Sequence, residues 1–367
     1  MKTKKMRYVW FLVILCIFCL TLFLARTRSK VEMRNRIYHQ WNEHFVVSKG
    51  KESYVRTTND SNQTVVLSEA QSYGMLITVA AAEKGQAQQA DFDRLYHYYL
   101  NHRLEGTQLM SWKQTISNGK AKDEDHNATD GDLYIAYALL KAAQKWPKQA
   151  KDYQAQAKAI LEDILAHNYN EETGVLTVGN WANQDSEFYH LMRTSDTLPA
   201  QFQIFYEVTK DSKWLDIKEK MLQQLQMISS QTKTGLLPDF IWVDEQGTRV
   251  ADPKTIESKY DGAYSYNACR LPYNLVQSKD ATSQKLVKKM LNFFKSQRNL
   301  YAGYDLKGKA LNNHQAASFL APIVYASEHE KGYLKLVQQN KYIFTQDLPL
   351  NNYYDATMTT MIALELF

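Results

Sequence analysis

Hydrophobic and polar positions along the chain fall into two regimes. Val9 to Ala25 is apolar throughout except for Thr21, whereas from about residue 33 apolar positions recur at three- and four-residue intervals in segments rich in Ala, Leu, Lys and Gln. That spacing puts the apolar residues on one face of a helix. It predicts helices over 33–47, 69–84, 88–101, 131–145, 149–167, 199–209, 213–230, 265–277, 283–297, 314–327, 331–340 and 353–366, broken by Gly, Pro and Asn. No pair of alternating runs joined by a hairpin turn stands out, and neither a P-loop nor a G-x-G-x-x-G is present. A dozen moderate helices with little strand predict an all-α domain, one large toroid or solenoid rather than a bundle. No fixed-period repeat is visible, and Pro and Gly are too sparse to mark an internal linker. Residues 31–367 therefore read as one domain and residues 1–30 as a separate segment.

The N-terminal run of 17 residues would span about 26 Å as a helix, just enough for a bilayer core. Lys2, Lys4, Lys5 and Arg7 precede it and Arg26, Arg28 and Lys30 follow. The stronger basic cluster ahead of the run favours an anchor with a cytoplasmic N-terminus and an exported body. A cleaved signal peptide is the rival, although no A-x-A-like site follows the run. Cys16 and Cys19 lie within the run and Cys269 stands alone in the body, so the body has no intrachain disulfide. A lone cysteine of this kind reads as a core thiol.

Charge excludes one class of partner. Seven of the 44 Lys and Arg lie in residues 1–30, which hold no acid, leaving 37 basic against 39 acidic residues in the remainder. The net charge of +5 thus belongs to the N-terminus, and the body carries no nucleic-acid footprint. The 24 Tyr, 14 Phe and 7 Trp supply either core or platforms for flat-faced ligands such as sugars.

Three expected helices open alike: Ser68-Glu69, Thr129-Asp130 and Ser195-Asp196 each set a hydroxyl before a carboxylate. Capping of free backbone N–H groups explains each singly. Together they permit a second reading, because helices in a closed ring present their ends to one face. Carboxylates far apart in sequence can then converge as a proton donor and a second acid across a glycosidic bond.

Several stretches carry a family resemblance. SEAQSYGMLITVAA closely resembles the acid-bearing signature of glycoside hydrolase family 8, and ATDGDLYIAYALLKA resembles its second signature. LMSWK (109–113), RTSDTLPAQFQIF (193–205), GLLPDF (235–240) and YDGAYSYNACRLP (260–272) follow in order, and the resemblance as a whole covers roughly residues 38 to 360. The resemblance implies an (α/α)6 barrel and an inverting hydrolase of cellulose, mixed-linkage β-glucan, xylan or chitosan that needs no metal or cofactor.

Residue by residue, the resemblance makes Glu69 the general acid, which requires a raised pKa. Asp130 matches the aspartate that holds the sugar at the cleavage subsite, while Asp132 reads as structural. The commonest family pattern has Asp in Y-D-A-x-R, but here Asn267 stands in Tyr266-Asn267-Ala268-Cys269-Arg270, and Asn cannot take a proton from water. In a branch containing chitosanases and lichenases an Asn holds this place and a Glu of the preceding loop is the base. Glu257 matches that residue, with Asp261 the alternative base. Inversion would set Glu69 and Glu257 roughly 6.5–9.5 Å apart. Trp112, Trp181, Tyr73, Asp196, Tyr266, Asn267 and Arg270 are candidate substrate-binding residues, and Arg193 is a candidate partner of a nearby carboxylate. His126 beside Asp123, Glu124 and Asp125 lacks ligand spacing and reads as loop decoration.

The expected partners are a polysaccharide and, through residues 1–30, a membrane, with the chain a monomer. The rival from another class is a catalytically silent polysaccharide-binding or assembly protein, motivated by Asn267. An isoprenoid-processing toroid would share the shape, but its acidic motif is absent.

Overall fold

The computed structural model describes residues 2–58 and 63–367. The apolar run and the first expected body helix are one element: α1, Lys2–Phe45, is unbroken for 44 residues. Between Ala25 and Met33 the sequence holds no Gly or Pro, and Arg28 reaches Glu32 one turn on at 2.8 Å, so nothing stops it. Its apolar half stays exposed at Trp10, Phe11, Ile14, Phe18 and Phe23, while Ile37, Tyr38, Trp41 and Phe45 in its last turns are buried. Among the described residues this is one helix long and apolar enough to cross a membrane.

The other helices run as inner–outer hairpins: α2 (Ser68–Glu83) with α3 (Gln89–Asn101), α4 (Thr129–Lys145) with α5 (Ala150–His167), α6 (Pro199–Thr209) with α7 (Lys213–Ser230), α8 (Leu271–Val276) with α9 (Ala281–Ser296), and α10 (Ala317–His329) with α11 (Leu334–Asn340). The inner helix α12 (Tyr353–Leu366) takes the last turns of α1 as its outer partner. The inner ring closes from α2 to α4, to the 3-10 turn Thr194–Asp196 ahead of α6, and on through α6, α8, α10 and α12 to α2. This is an (α/α)6 barrel.

Composition sorts the two layers. Inner α12 buries every residue from Asp355 to Leu364, because Ala, Thr and Met leave it no polar face. Its Thr359 and Thr360 hydroxyls satisfy themselves on carbonyls one turn back, at 2.7 and 2.8 Å. Outer α9 buries one stripe, Leu286, Val287, Met290, Leu291 and Phe294, and Asp280 caps its start by accepting from Thr282 N and Ser283 N.

The sequence reading that found no hairpin is corrected. Among the described residues there are three small antiparallel sheets: β1 (Val46–Lys49) with β2 (Glu52–Val55), β3 (Thr64–Leu67) with β4 (Lys113–Ser117) and β5 (Lys120–Asp123), and β6 (Leu191–Arg193) with β7 (Phe240–Asp244) and β8 (Gly247–Val250). Strands of three to five residues offer little alternation to read, and β5 is exposed along its whole length. The missed signal was Asn118-Gly119, whose φ values of 52° and 75° turn β4 into β5. β3 runs directly into α2 and β6 into the turn before α6, so two of the sheets frame the end where inner helices begin.

Candidate active site

At that end the first turns of inner helices converge on a cleft of about 360 Å³. Its walls include Glu69, Trp112, Asp130, Arg193, Glu257, Tyr266 and Asn267, together with Tyr353 and Tyr354 from the start of α12. The capping reading of the helix starts fails at α2 and α4, neither of which has a side-chain cap. The Thr129 hydroxyl instead donates to the Thr177 carbonyl at 2.6 Å, and Glu69 and Asp130 face the cleft. Gly131 brings the two starts together: a Cβ there would lie 2.2 Å from Ser68 Oγ.

Arg270, only 1% exposed, organises the floor. Its Nη1 donates to Glu69 Oε2 at 3.0 Å, Asp130 Oδ2 at 3.0 Å and Tyr73 OH at 3.1 Å. Its Nη2 donates to Ser195 Oγ at 2.7 Å and Asn267 Oδ1 at 3.1 Å. Arg193 forms a second cationic centre, with Nη1 at 3.0 Å from Asp130 Oδ1 and 3.7 Å from Asp196, and Nη2 donating to Glu257 Oε1 at 3.5 Å.

These contacts set the protonation states. Burial pushes the Glu69 carboxyl up, Arg270 opposes it and Asp130 adds to it, and the result is about 7. Burial would raise Asp130 too, but Arg193 and Arg270 outweigh it and hold the carboxyl below its ordinary value. Asp196 is buried with neither oxygen hydrogen-bonded among the described residues, and burial lifts it to about 7 against the pull of Arg193.

Glu257 is the most open of these acids, with 44% of its side chain exposed. Asn267 Nδ2 donates to its Oε2 at 2.8 Å, while the Asn267 carbonyl oxygen accepts from Arg270. That second bond fixes which end of the amide faces Glu257. Asp261, by contrast, is buried and outside the lining, its carboxylate taken by the backbone N–H groups of Ile256, Glu257 and Ser258 at 2.7 to 3.0 Å. It shapes the loop that presents Glu257. Asp239 does the same for the next segment, accepting from Ser265 N at 3.1 Å and Ala268 N at 2.7 Å. This anchoring keeps residues 265–267 out of the expected helix 265–277, which begins as the 3-10 turn Ala268–Arg270.

Of the expected substrate-binding residues, Trp112 and Tyr266 line the cleft with 38% and 42% exposure, and Asn267 lies beside them. Tyr73 and Arg270 are buried beneath it, and Asp196 is buried under Arg193, so these three brace the wall instead of reaching into it. Trp181 is outside the lining too, in a small apolar cluster with Val178, Leu191 and Phe240, edge-on to Phe188 at 5.3 Å. Asp132 accepts from Met110 N and Asn127 Nδ2, both at 2.8 Å, which ties the 110 segment to α4. Cys269 is buried, its Sγ donating to the Tyr266 carbonyl at 3.1 Å, and His126 pairs with Asp125 at 3.2 Å. The tyrosines Tyr353 and Tyr354 were missed in the sequence; the signal was an aromatic pair opening an expected helix.

A helical ring that opens onto one acid poised near neutrality, one acid held ionised and a third left in the open is built for general acid–base chemistry on a bulky substrate. Sequence comparison gives that chemistry its class. The profile of glycosyl hydrolases family 8 matches residues 13–365, so the chain belongs to that family and is a glycoside hydrolase. It is 30% identical over 298 residues to a β-glucanase of Niallia circulans, covering 78% of this chain and 72% of that protein. It is 27% identical to endoglucanase A of Acetivibrio thermocellus over 83% of this chain, which spans 62% of that relative's length. The apo β-1,3-1,4-glucanase of Paenibacillus sp. X4 shares the fold with a TM-score of 0.82 at 24% identity, over 93% and 92% of the two chains.

Proposed function

We propose that the chain is an inverting endo-hydrolase of a β-1,4-linked glucan, cellulose-like or mixed-linkage, with Glu69 as general acid and Glu257 as base. The observation that carries this reading is a pair of unlike carboxyls in one cleft. Glu69 is largely enclosed, with 21% of its side chain exposed, and is raised to about 7, whereas Glu257, 44% exposed, is steered by Asn267 and Arg193. Protonated Glu69 donates to the glycosidic oxygen as the bond to the anomeric carbon breaks. Glu257 takes a proton from the water that attacks the opposite face. Asp130, kept ionised by two arginines, offsets the positive charge developing on the sugar ring and accepts from its hydroxyls. Trp112 and Tyr266 offer exposed rings for stacking. The names of the relatives, β-glucanase and endoglucanase, favour glucan over chitosan.

This reading gives Asn267 a use. An aspartate there would set a second anion against Glu257, whereas the amide donates to it. The full chain in detergent, assayed for reducing ends on lichenan, carboxymethylcellulose, xylan and chitosan, tests the assignment. Glu69→Gln and Glu257→Gln should each lose about 10³-fold or more in kcat on the accepted glucan, and NMR of the first product should give the inverted anomer. Survival of Glu257→Gln with loss of Asp261→Asn would move the base to Asp261. Release from none of the four by a folded parent would favour the silent binder.

By the same reading residues 1–30 are a basic tip and membrane anchor and residues 31–367 the catalytic domain. The chain is then a single-pass monomer of the cell membrane with its barrel outside the cytoplasm. The bare apolar half of α1 and the basic cluster ahead of it support this. Protease added to intact cells should digest the barrel.

A further inference from the structure

We infer that the closed end of the barrel is a membrane-facing surface that docks on anionic lipid headgroups, so that the cleft opens away from the bilayer. The inference rests on the anchor reading above. Its geometric basis is the docking of α1 along α12. Phe45 meets Tyr353 edge-on at 6.0 Å, Trp41 Nε1 donates to Thr357 Oγ1 at 2.9 Å, and Arg34 Nη1 donates to the Phe367 carbonyl at 3.0 Å. Lys30 lies 5.5 Å above the Phe367 ring. Followed from Phe45 back to Lys30, α1 runs from the cleft end to the closed end, then continues without a break into its apolar half. The same rigid element therefore fixes the direction of the cleft relative to the span. At 1.5 Å per residue, Arg34 stands about 13 Å beyond Ala25, the last apolar residue of the run, and Phe45 about 30 Å beyond it.

The closed end carries the complementary charge. Every turn from an inner to an outer helix holds a lysine: Lys84, Lys148, Lys210, Lys279 and Lys331, and Lys30 fills the sixth place beside the end of α12. Those five turns hold five lysines against three acids, Asp211, Asp280 and Glu330. Asp280 caps α9, Asp211 accepts from Lys213 N at 2.9 Å, and Glu330 pairs with Lys288 at 3.4 Å. The headgroup layer is about 5–7 Å deep, so the lysine ring lies within reach of its surface potential, which decays over about 8 Å.

Lysines at helix C-termini also complement the helix dipole, so the test reads lipid dependence and orientation rather than stability. The full chain, with Cys16→Ser and Cys19→Ser, is labelled at Lys331→Cys on the closed end or Lys120→Cys at the cleft end. It is then placed in vesicles of phosphatidylcholine with or without phosphatidylglycerol. Energy transfer to a headgroup acceptor should be several-fold stronger from residue 331 than from residue 120, and phosphatidylglycerol should strengthen it further at 331. The triple variant K84E/K148E/K331E, labelled instead at Lys279→Cys, should lose the phosphatidylglycerol effect, and Ser29→Pro should erase the difference between the two ends. Equal or reversed transfer in the parent overturns the inference, and a phosphatidylglycerol effect undiminished in the triple variant overturns the lysine contact. Failure of the chain to float with vesicles at all would instead overturn the anchor reading.

Discussion

Glu69 in the first turn of α2 and Asp130 in the first turn of α4 share one donor, Arg270 Nη1, at 3.0 Å each. Both are taken out of bulk water, which by itself raises a carboxyl. They part because Asp130 adds Arg193 Nη1 at 3.0 Å and the Gly131 N–H at 2.9 Å, while Glu69 meets no second guanidinium at that range among the described residues. One helix start thus ends up with a proton to give near neutral pH and its neighbour with a fixed charge. The comparison teaches that a hydroxyl-acid helix start does not define a role. The number of cations delivered to it by distant segments does, here Arg193 from β6 and Arg270 from the turn before α8.

The hardest way to break this comparison is to remove the shared cation. Arg270→Met leaves Asp130 with Arg193 as its one close guanidinium, strips Glu69 of its cation and takes their donor from Ser195 and Asn267. It should cost about 3–5 kcal/mol of unfolding free energy in urea and abolish hydrolysis. A variant within about 1 kcal/mol of the parent would mean that the guanidinium does not hold the two starts together. A smaller effect comes from the backbone between them. In Gly131→Ala the new methyl meets Ser68 Oγ at 2.2 Å and Ser68 Cβ at 2.7 Å, so the starts of α2 and α4 must part. The expected loss is about 1–3 kcal/mol, with activity falling alongside. Adding Ser68→Gly should restore part of both, since Ser68 is the residue met; no rescue would place the strain elsewhere.

Much of this arrangement was legible before any coordinates. The helical segments came from spacing, Glu69 and Asp130 from hydroxyl–acid helix starts, and Glu257 from the family resemblance, and the three carboxylates lie on one cleft. What was not legible depended on three-dimensional closure. The separation of the apolar run from the helix 33–47 vanished because a helix ends only where something ends it, and residues 26–32 contain no breaker. Trp181 was named beside Trp112, yet aromatic content cannot distinguish a ring packed on Phe188 from one facing a cleft. Arg193 was read only as a partner for some nearby carboxylate. Its contacts with Asp130, Asp196 and Glu257 exist because β6 pairs with β7 and carries it over the cleft. The anchoring by Asp239 and Asp261 gave no signal of its own, because the partners of both are backbone N–H groups of loops.

The finest test of the comparison is its electrostatic coupling. In the proposed mechanism Glu69 must be protonated to act as the acid, and burial lifts its carboxyl to about 7. The alkaline limb of kcat/KM against pH should therefore fall near 7. Asp130 is one of the groups holding Glu69 up, and it also occupies Arg270 and Arg193, the two cations that pull Glu69 down. Asp130→Asn removes a negative neighbour and frees positive charge, and both changes favour the ionised form of Glu69. Its proton is then lost at lower pH, and the alkaline limb moves toward acid. By the proposed mechanism activity at the optimum should fall as well, because a neutral amide would not balance charge on the sugar, but a merely structural loss would lower the whole profile without moving the limb. The measurement is a full pH profile of parent and Asp130→Asn on the same glucan. A limb that stays in place, or moves toward alkali, would mean that Glu69 and Asp130 titrate independently and that burial alone sets the acid.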